Sequence, residues 1–481
     1  MSIKKNYFYN TLNQIITILV SIVTVPYVSR KLGANNIGIY SYTNSIVSYF
    51  MMLIILGLAN YGNREIAKVK GNKNKVNKLF SEIYCMQLAF GIIVSIVYFL
   101  FINFVFKEYK ELFYIQIICI ISSVIDVNWY MYGSEEFRYN SIRNIIVSIF
   151  NFVAIIIFVQ DEKSLISYTF VMSLGLLLNQ TISWVYVAKN VRFIKPDLKD
   201  IIRHILPNLV FFIPIIAVSL YKIMDKIMLG SMVNTFEVGL YESSEKIIRI
   251  PTVFISSLGT VMMPRMTKMY ADMDNEKAST YIGKSIQFAM LISSALCFGI
   301  MGVSKEFVPI FYGPGFEKCT LIYIVLLPSC LFLSFSNVIR TQYLIPSGNE
   351  NIFIKAVILG AVVNLIANVL LIPKFLSIGA SFGTVLAEAT VCIYQSIKVI
   401  DTLDIKKYLK LSFPFIMIGI VMFSILILIE LPISIFYRLI LKIFTGIIIY
   451  IIGMLLIIRK SEYQHYLIGI KEKLSRLKFK S

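Results

Sequence analysis

Residues 411–429 read LSFPFIMIGIVMFSILILI and contain no charged side chain. A helix of about 20 apolar residues crosses the hydrocarbon core of a bilayer, which is about 30 Å thick. Comparable runs recur throughout the 481 residues, of which 57% are hydrophobic and 15% charged. The mean hydropathy is +0.76. Soluble proteins carry about 25% charged residues. The sequence therefore predicts an all-α protein that crosses a membrane many times.

Hydropathy divides the chain into about fourteen predicted transmembrane helices. They lie near residues 7–29, 37–60, 80–106, 112–132, 144–160, 165–188, 207–229, 240–263, 281–304, 319–340, 353–373, 379–400, 411–430 and 438–458. The predicted domains are an N-lobe of six helices (1–188), a basic linker (189–206), a C-lobe of six helices (207–400), two further helices (401–458) and a basic amphipathic tail (459–481).

The formal net charge of +19 comes from basic residues in the loops between apolar segments. Basic clusters follow the even-numbered helices, for example at residues 64–78 and 189–203. Because loops rich in Lys and Arg stay in the cytoplasm, we expect both termini to be cytoplasmic. A nucleic-acid surface would need a soluble domain, and no loop is long enough to form one. We therefore expect no nucleic-acid partner.

The sequence carries no pattern typical of a catalytic or metal centre. Its six cysteines form no CxxC pair, and it contains two histidines. Gly283-Lys284-Ser285 imitates the end of a P-loop, but Ala278 stands where the first glycine belongs. We expect no cofactor, no bound metal and no enzymatic activity.

Short strings recur at one offset between the two halves of the chain. Gly38-Ile39-Tyr40 corresponds to Gly239-Leu240-Tyr241, and Arg64 corresponds to Arg265, each 201 residues later. The offset predicts a duplication whose copies enter the membrane in the same direction, with a substrate site at the interface of the repeats. A chance match of short strings is the alternative. We consider two roles for Arg64, Arg265 and Arg340: they are gate residues, or they only set the membrane topology.

Charged residues concentrate in the seventh and eighth predicted helices, where burial in lipid would be costly. They are Lys222, Asp225 and Lys226 on the seventh, and Glu242, Glu245, Lys246 and Arg249 on the eighth. The spacing predicts that each set shares one helix face. Lys222, Lys226, Lys246 and Arg249 would then form a cationic cavity wall that binds a phosphate-bearing headgroup. Ion pairs such as Asp225–Lys222 and Glu245–Arg249 are the alternative.

The first lobe instead offers neutral polar residues. They are Asn10, Gln14, Thr17, Ser21 and Thr24 on the first helix, and Ser41, Asn44 and Ser48 on the second. These residues suit sugar hydroxyls, although interhelical hydrogen bonds explain them equally well. Asp126 and Glu388 are further intramembrane carboxylates, for which ion coupling and ion pairing are both open.

Several motifs in their order and spacing resemble the polysaccharide transporter family, and most closely the Wzx-type flippases of O-antigen and capsule repeat units. They are residues 30–33 with 38–40, 129–138, 225–230 with 238–241, Pro264-Arg265, 364–373 and 379–388.

The resemblance implies two six-helix lobes plus two terminal helices, the fold of a superfamily that includes multidrug extruders of the MATE type and the lipid II flippase. It also implies a function. A polyprenyl-pyrophosphate-linked oligosaccharide would cross the bacterial cytoplasmic membrane to the outer leaflet by alternating access, and a polysaccharide polymerase and chain-length machinery would act next. A cation or drug extruder and a lipid II flippase are the alternatives. The net basic second lobe disfavours the extruder.

Overall fold

The computed structural model describes the backbone of residues 3–458, with the side chains of residues 3–11, 15, 249, 260, 275 and 458 left out. The predicted tail at 459–481 and the side chains of Asn10 and Arg249 therefore lie outside the described residues.

The described residues are almost entirely helical. The α-helices are α1 (Ile3–Ile55), α2 (Leu58–Val69), α3 (Lys73–Phe104), α4 (Lys110–Ile115), α5 (Ile117–Val124), α6 (Asn128–Gly133), α7 (Phe137–Phe158), α8 (Leu165–Asn190), α9 (Leu198–Ile202), α10 (Ile205–Lys222), α11 (Met224–Met232), α12 (Thr235–Ala271), α13 (Asn275–Phe311), α14 (Cys319–Leu326), α15 (Ser329–Ile339), α16 (Glu350–Phe375), α17 (Ser377–Lys398), α18 (Ile405–Leu428) and α19 (Ile435–Ile458). A 3₁₀ turn covers Glu162–Ser164, and a π-helical turn covers Arg340–Leu344.

Twelve helical segments among the described residues are long and apolar enough to span a membrane, and a bent pair within α12 raises the number to 13. One segment, Leu12–Val69, includes most of the first predicted span and all of the second. They are separated by a break at Gly33, whose φ of 72° and ψ of 169° are not helical. Glycine adopts a positive φ without a Cβ penalty. The prediction of an all-α, many-spanning protein is confirmed.

The chain forms two compact units. The first contains the residues up to Glu242 together with Tyr312–Gly315, and the second contains Ser243–Phe311 and the residues from Phe316 onward. α10, α11 and the first turns of α12 thus belong to the first unit. The division into two six-helix lobes at residues 188 and 207 stays a prediction.

An aromatic cluster joins α3, α6 and α8 in the first unit. Phe80 stacks on Trp129 with ring centroids 5.4 Å apart, and Trp184 packs edge-on against Tyr84 at 4.9 Å. Trp129 Nε1 donates a hydrogen bond to Gln87 Oε1 at 2.9 Å. Aromatic pairs add about 0.5–1.5 kcal/mol each beyond their burial. The cluster fixes the end of α3 that carries the predicted cytoplasmic lysines.

In the second unit, a buried ion pair joins α13 to α19. Lys442 Nζ lies 2.8 Å from Glu306 Oε1, and each residue is 1% exposed. Arg438 Nε lies 3.3 Å from the same oxygen. Burying a charge requires a partner, because a lone ion in an apolar interior is very costly. The pair therefore ties α19 to α13.

Lys442→Met removes the main partner of the buried Glu306 carboxylate. We expect the free energy of unfolding to fall by about 3–5 kcal/mol, the usual cost of an uncompensated buried charge. Adding Glu306→Gln should restore most of that loss. Thermal unfolding in detergent measures both variants, with the exposed Lys407→Met as the control. A double variant no more stable than Lys442→Met would contradict this account.

Candidate functional site

Residues that the internal repeat relates are in direct contact within the first unit. A Cβ at Gly38 would overlap the carbonyl oxygen of Thr235 and lie 2.8 Å from the Gly239 nitrogen. Conversely, a Cβ at Gly239 would overlap the carbonyl oxygen of Ala34 and lie 3.0 Å from the Gly38 nitrogen. Thr235 and Gly239 follow Ala34 and Gly38 by 201 residues each. The contact is therefore reciprocal, as in a two-fold interface. It favours duplication over a chance match. We call it the glycine crossing.

One turn further along both helices, the crossing carries a charged cluster. Ser41 Oγ donates a hydrogen bond to Glu242 Oε2 at 3.2 Å, and these two residues are also 201 apart. Lys226 Nζ lies 2.9 Å from the same carboxylate oxygen. Tyr241 donates its hydroxyl proton to Asp225 Oδ2 at 2.7 Å. Asp225 is 1% and Lys226 8% exposed. The predicted residues Lys226, Asp225 and Glu242 thus lie in two neighbouring sets of contacts, Ser41–Glu242–Lys226 and Tyr241–Asp225, which we call the crossing cluster.

The predicted common face of Lys222, Asp225 and Lys226 is wrong for Lys222. α10 ends at Lys222, and Ile223, with φ −113° and ψ −36°, separates it from α11. Lys222 is exposed, whereas Asp225 and Lys226 are buried. The i, i+3, i+4 rule applies only within one continuous helix.

Lys226 forms an ion pair with Glu242. The ion pairs suggested by the sequence did not include this one. Glu245 and Lys246 are half-buried on α12.

The predicted polar stripe divides into two parts. Gln14, Thr17 and Ser21 are exposed on α1, whereas Ser41 is buried and Asn44 half-buried. Ser21 donates its hydroxyl proton to the Thr17 carbonyl at 2.8 Å, one turn back on the same helix. Its hydrogen bond is thus intrahelical. Sugar contact by the exposed part stays a prediction.

Asp126 sits in a polar network of its own. Its carboxylate accepts hydrogen bonds from the Asn128 backbone nitrogen at 2.7 Å and from Gln180 Nε2 at 2.9 Å. The buried Arg143 donates to Asn128 Oδ1 at 3.0 Å. Glu388, in the second unit, is 7% exposed on α17. Their roles in ion coupling stay predictions.

The three arginines considered as gate residues each lie over an aromatic ring. The guanidinium carbon of Arg64 is 4.7 Å from the ring centroid of Phe211, that of Arg265 is 4.1 Å from Tyr281, and that of Arg340 is 5.0 Å from Phe353. Cation–π contacts of this kind contribute about 0.5–1 kcal/mol at exposed sites. The repeat-related pair Arg64 and Arg265 thus shares its mode of packing.

Sequence reasoning missed a second buried charge network, where α2, α3 and α10 approach one another. The Glu82 side chain is fully buried and accepts from Arg203 at 2.6 Å. His204 bridges it to α2, with Nε2 3.0 Å from Glu82 Oε2 and Nδ1 2.6 Å from the Tyr61 hydroxyl. Glu82 falls inside the predicted span 80–106, and a carboxylate in an apolar span was the available signal.

Just outside the spans, Lys70 joins the α2–α3 turn to the α6–α7 turn. Its Nζ lies 2.6 Å from Glu135 Oε2. This hydrogen bond from a cation lowers the pKa of the Glu135 carboxyl below its usual range.

Together, these observations define a polytopic helical membrane protein built on an internal repeat, with buried charged clusters in its spans. The sequence matches the family described as "Polysaccharide biosynthesis protein" over residues 3–270, more than half of the chain. The chain belongs to that family.

Relatives of known name agree with this assignment. The chain is 22% identical to the putative O-antigen transporter of Escherichia coli K12 over 396 residues, which cover 81% of this chain and 95% of that protein. Its fold is similar to that of the lipid II flippase MurJ in an inward closed conformation, with a TM-score of 0.70 and 16% identity over 94% of this chain and 98% of that one. An inward-facing MATE family transporter matches with a TM-score of 0.61 and 14% identity, over 83% and 99% of the two chains. The fold resembles that of the MATE and MurJ transporters, as expected.

Gly38→Ala and Gly239→Ala each place a methyl group where the opposite backbone lies. We expect each to destabilise the protein by about 1–3 kcal/mol, the usual cost of overpacking, and to reduce its level in the membrane. Thermal unfolding in detergent measures the effect. Gly299→Ala is the matched control, because the nearest atom to its Cβ would be Met422 Cε at 3.7 Å. Equal stability of all three variants would refute the close backbone contact.

Proposed function

We propose that this protein is a flippase that moves a polyprenyl-pyrophosphate-linked oligosaccharide from the inner to the outer leaflet of a bacterial cytoplasmic membrane. Surface polysaccharide assembly, of capsule, O-antigen or exopolysaccharide, would use the product. The family match is the main support for the proposal, and the matched residues include the glycine crossing and the crossing cluster. The named O-antigen relative supports the substrate class.

The physical problem of such a reaction is desolvation. One hydroxyl without a hydrogen bond costs roughly 2–7 kcal/mol in an apolar medium, and an oligosaccharide carries many. A polar path removes this cost while the lipid tail remains in the bilayer. The exposed α1 residues Gln14, Thr17 and Ser21 support this proposal, because neutral donors and acceptors suit sugars.

Alternating access is the proposed mechanism, and the glycine crossing is its proposed outer gate. The loop between the first two predicted spans faces outward by the positive-inside rule, so Gly38 and Gly239 belong near the outer surface. A contact made by backbone atoms closes without large side chains, and separation of α1 and α12 there would open the path.

Binding of the pyrophosphate is proposed for the cations of the predicted set, Lys222, Lys226, Lys246 and Arg249. Lys222 is the exposed member, whereas Lys226 is held by Glu242. The interaction of Lys226 with a substrate would therefore require exchange of Glu242 for phosphate oxygens.

Deletion of the gene in its source organism tests the proposed function. We expect lipid-linked repeat units to accumulate in the cytoplasmic leaflet and surface polysaccharide to disappear, with both restored by the intact gene on a plasmid. Normal surface polysaccharide in the deletion strain would reject the proposal. Restoration of drug resistance to an extruder-deficient host would point to a multidrug extruder instead.

A charge-removal series separates substrate binding by Lys226 from ion pairing. If Lys226 only neutralises Glu242, Lys226→Met should lose most transport, and Lys226→Met with Glu242→Gln should recover it, because no buried charge is left unpaired. If Lys226 also holds phosphate, we expect both variants to fail. Restoration of surface polysaccharide in the deletion strain measures this, with membrane level as the control. Full transport by Lys226→Met alone would contradict both roles.

A further inference from the structure

The N-terminus of α3 carries positive charge that the helix itself does not balance. α3 is 32 residues long, begins at Lys73 and has no acidic residue in its first turn. Lys73 and Lys75 lie in that turn, and Lys78 follows one turn later. A helix N-terminus bears a partial charge of about +0.5, so anions there are stabilising and cations are not. The arrangement favours an external anion.

A cavity of about 420 Å³ lies beside this helix end, within the first unit. It is lined by Tyr61, Glu65, Val69, Lys75, Lys78, Leu79, Glu82, Arg203 and His204. Its volume falls in the range of small-ligand sites, about 300–1,000 Å³. We call it the basic-end pocket.

Two carboxylates hold two of the pocket's cations in place. Asp200 Oδ2 lies 3.1 Å from Lys78 Nζ, and Asp200 Oδ1 lies 3.3 Å from Arg203 NH1. The buried Glu82 accepts from Arg203 at 2.6 Å. These ion pairs pre-order the Lys78 and Arg203 side chains, which lowers the entropy cost of binding an anion.

Lys75 is the cation that points to a ligand. It lines the pocket and is exposed, and it has no ion-pair partner among the described side chains. Its backbone nitrogen donates to the capping Asn72 Oδ1 at 3.1 Å, which fixes the start of the helix beside the pocket. Lys75, Lys78 and Arg203 therefore face two carboxylates, Glu82 and Asp200. The third carboxylate beside the pocket, Glu65, is held by Arg64 at 3.0 Å and by Lys68 at 2.8 Å. The local charge is therefore still positive, and the helix N-terminus adds to it.

We propose that the basic-end pocket binds the phosphate group of a membrane lipid, with Lys75 as its principal contact and Lys78 and Arg203 as pre-ordered supporting cations. The phosphate has two sources in a bilayer, an anionic glycerophospholipid and the diphosphate of a polyprenyl-linked sugar. The second source rests on the proposed function and would make the pocket a loading site on the predicted cytoplasmic side, whereas the preference for phosphate does not depend on it.

The test uses the full-length protein in nanodiscs of phosphatidylcholine, with bound lipid measured by native mass spectrometry. The probes are polyprenyl pyrophosphate, phosphatidylglycerol and inorganic pyrophosphate. Lys75→Glu should weaken lipid binding about tenfold, as expected for loss of a charge-assisted hydrogen bond. Lys73→Glu is the matched control, since it makes the same charge change in the same helix turn but does not line the pocket. Lys75→Arg should retain binding.

Competition between the probes identifies the source, and preference for either lipid supports the proposal. Equal weakening by Lys73→Glu and Lys75→Glu would overturn it, because that result means general surface attraction. Unchanged binding in Lys75→Glu would overturn it as well, as would binding of inorganic pyrophosphate without either lipid. A deletion strain with normal surface polysaccharide, combined with Lys75-dependent binding, would reject the flippase function and leave the pocket assigned to phospholipid.

Discussion

The contact that orders the first unit is the reciprocal approach of Gly38 and Gly239. Each glycine lies where a Cβ would overlap a carbonyl oxygen of the opposite helix. Helices in a membrane gain little from hydrophobic association, so close approach of backbones is a main source of their affinity. The crossing then determines which side chains meet next, and Ser41 reaches Glu242 as a result. A repeat visible in the sequence thus becomes a physical contact between its two copies.

The buried charges follow from the same constraint. An ion in the membrane interior needs a partner. Three ion pairs with at least one buried member join residues far apart in the chain or on different helices: Glu82 with Arg203, Lys226 with Glu242, and Glu306 with Lys442. Such pairs contribute little net stability, since desolvation offsets most of their attraction. Their effect is on specificity, because a wrong helix neighbour would leave a charge unpaired.

Much of the fold was predictable from the sequence, because apolar runs of membrane-spanning length need no tertiary information. The charge clusters were less predictable. The spacing of Lys222, Asp225 and Lys226 predicted one face, but the break at Ile223 removed Lys222 from it. Partner choice also escaped prediction, because the ion pairs considered from the sequence did not include the one between Lys226 and Glu242, 16 residues later. Helical periodicity determines which residues share a face, whereas backbone breaks and packing determine which faces meet.

The break between α1 and α2 lies along the chain between the glycine crossing and the basic-end pocket, the two regions of the first unit that have a proposed function. Leu56 has a φ of 50°, a conformation that costs a leucine about 1–3 kcal/mol. At the next residue, a Cβ on Gly57 would overlap the Asn208 carbonyl oxygen of α10 and lie 2.7 Å from the Phe211 Cβ. α2 is therefore packed on α10, while α1 crosses α12. Because Tyr61 of α2 lines the basic-end pocket, the break separates the segment that makes the glycine crossing from the segment that lines the pocket. Residues at the ends of helices absorb changes of φ and ψ most readily, because such a change there disrupts the least side-chain packing.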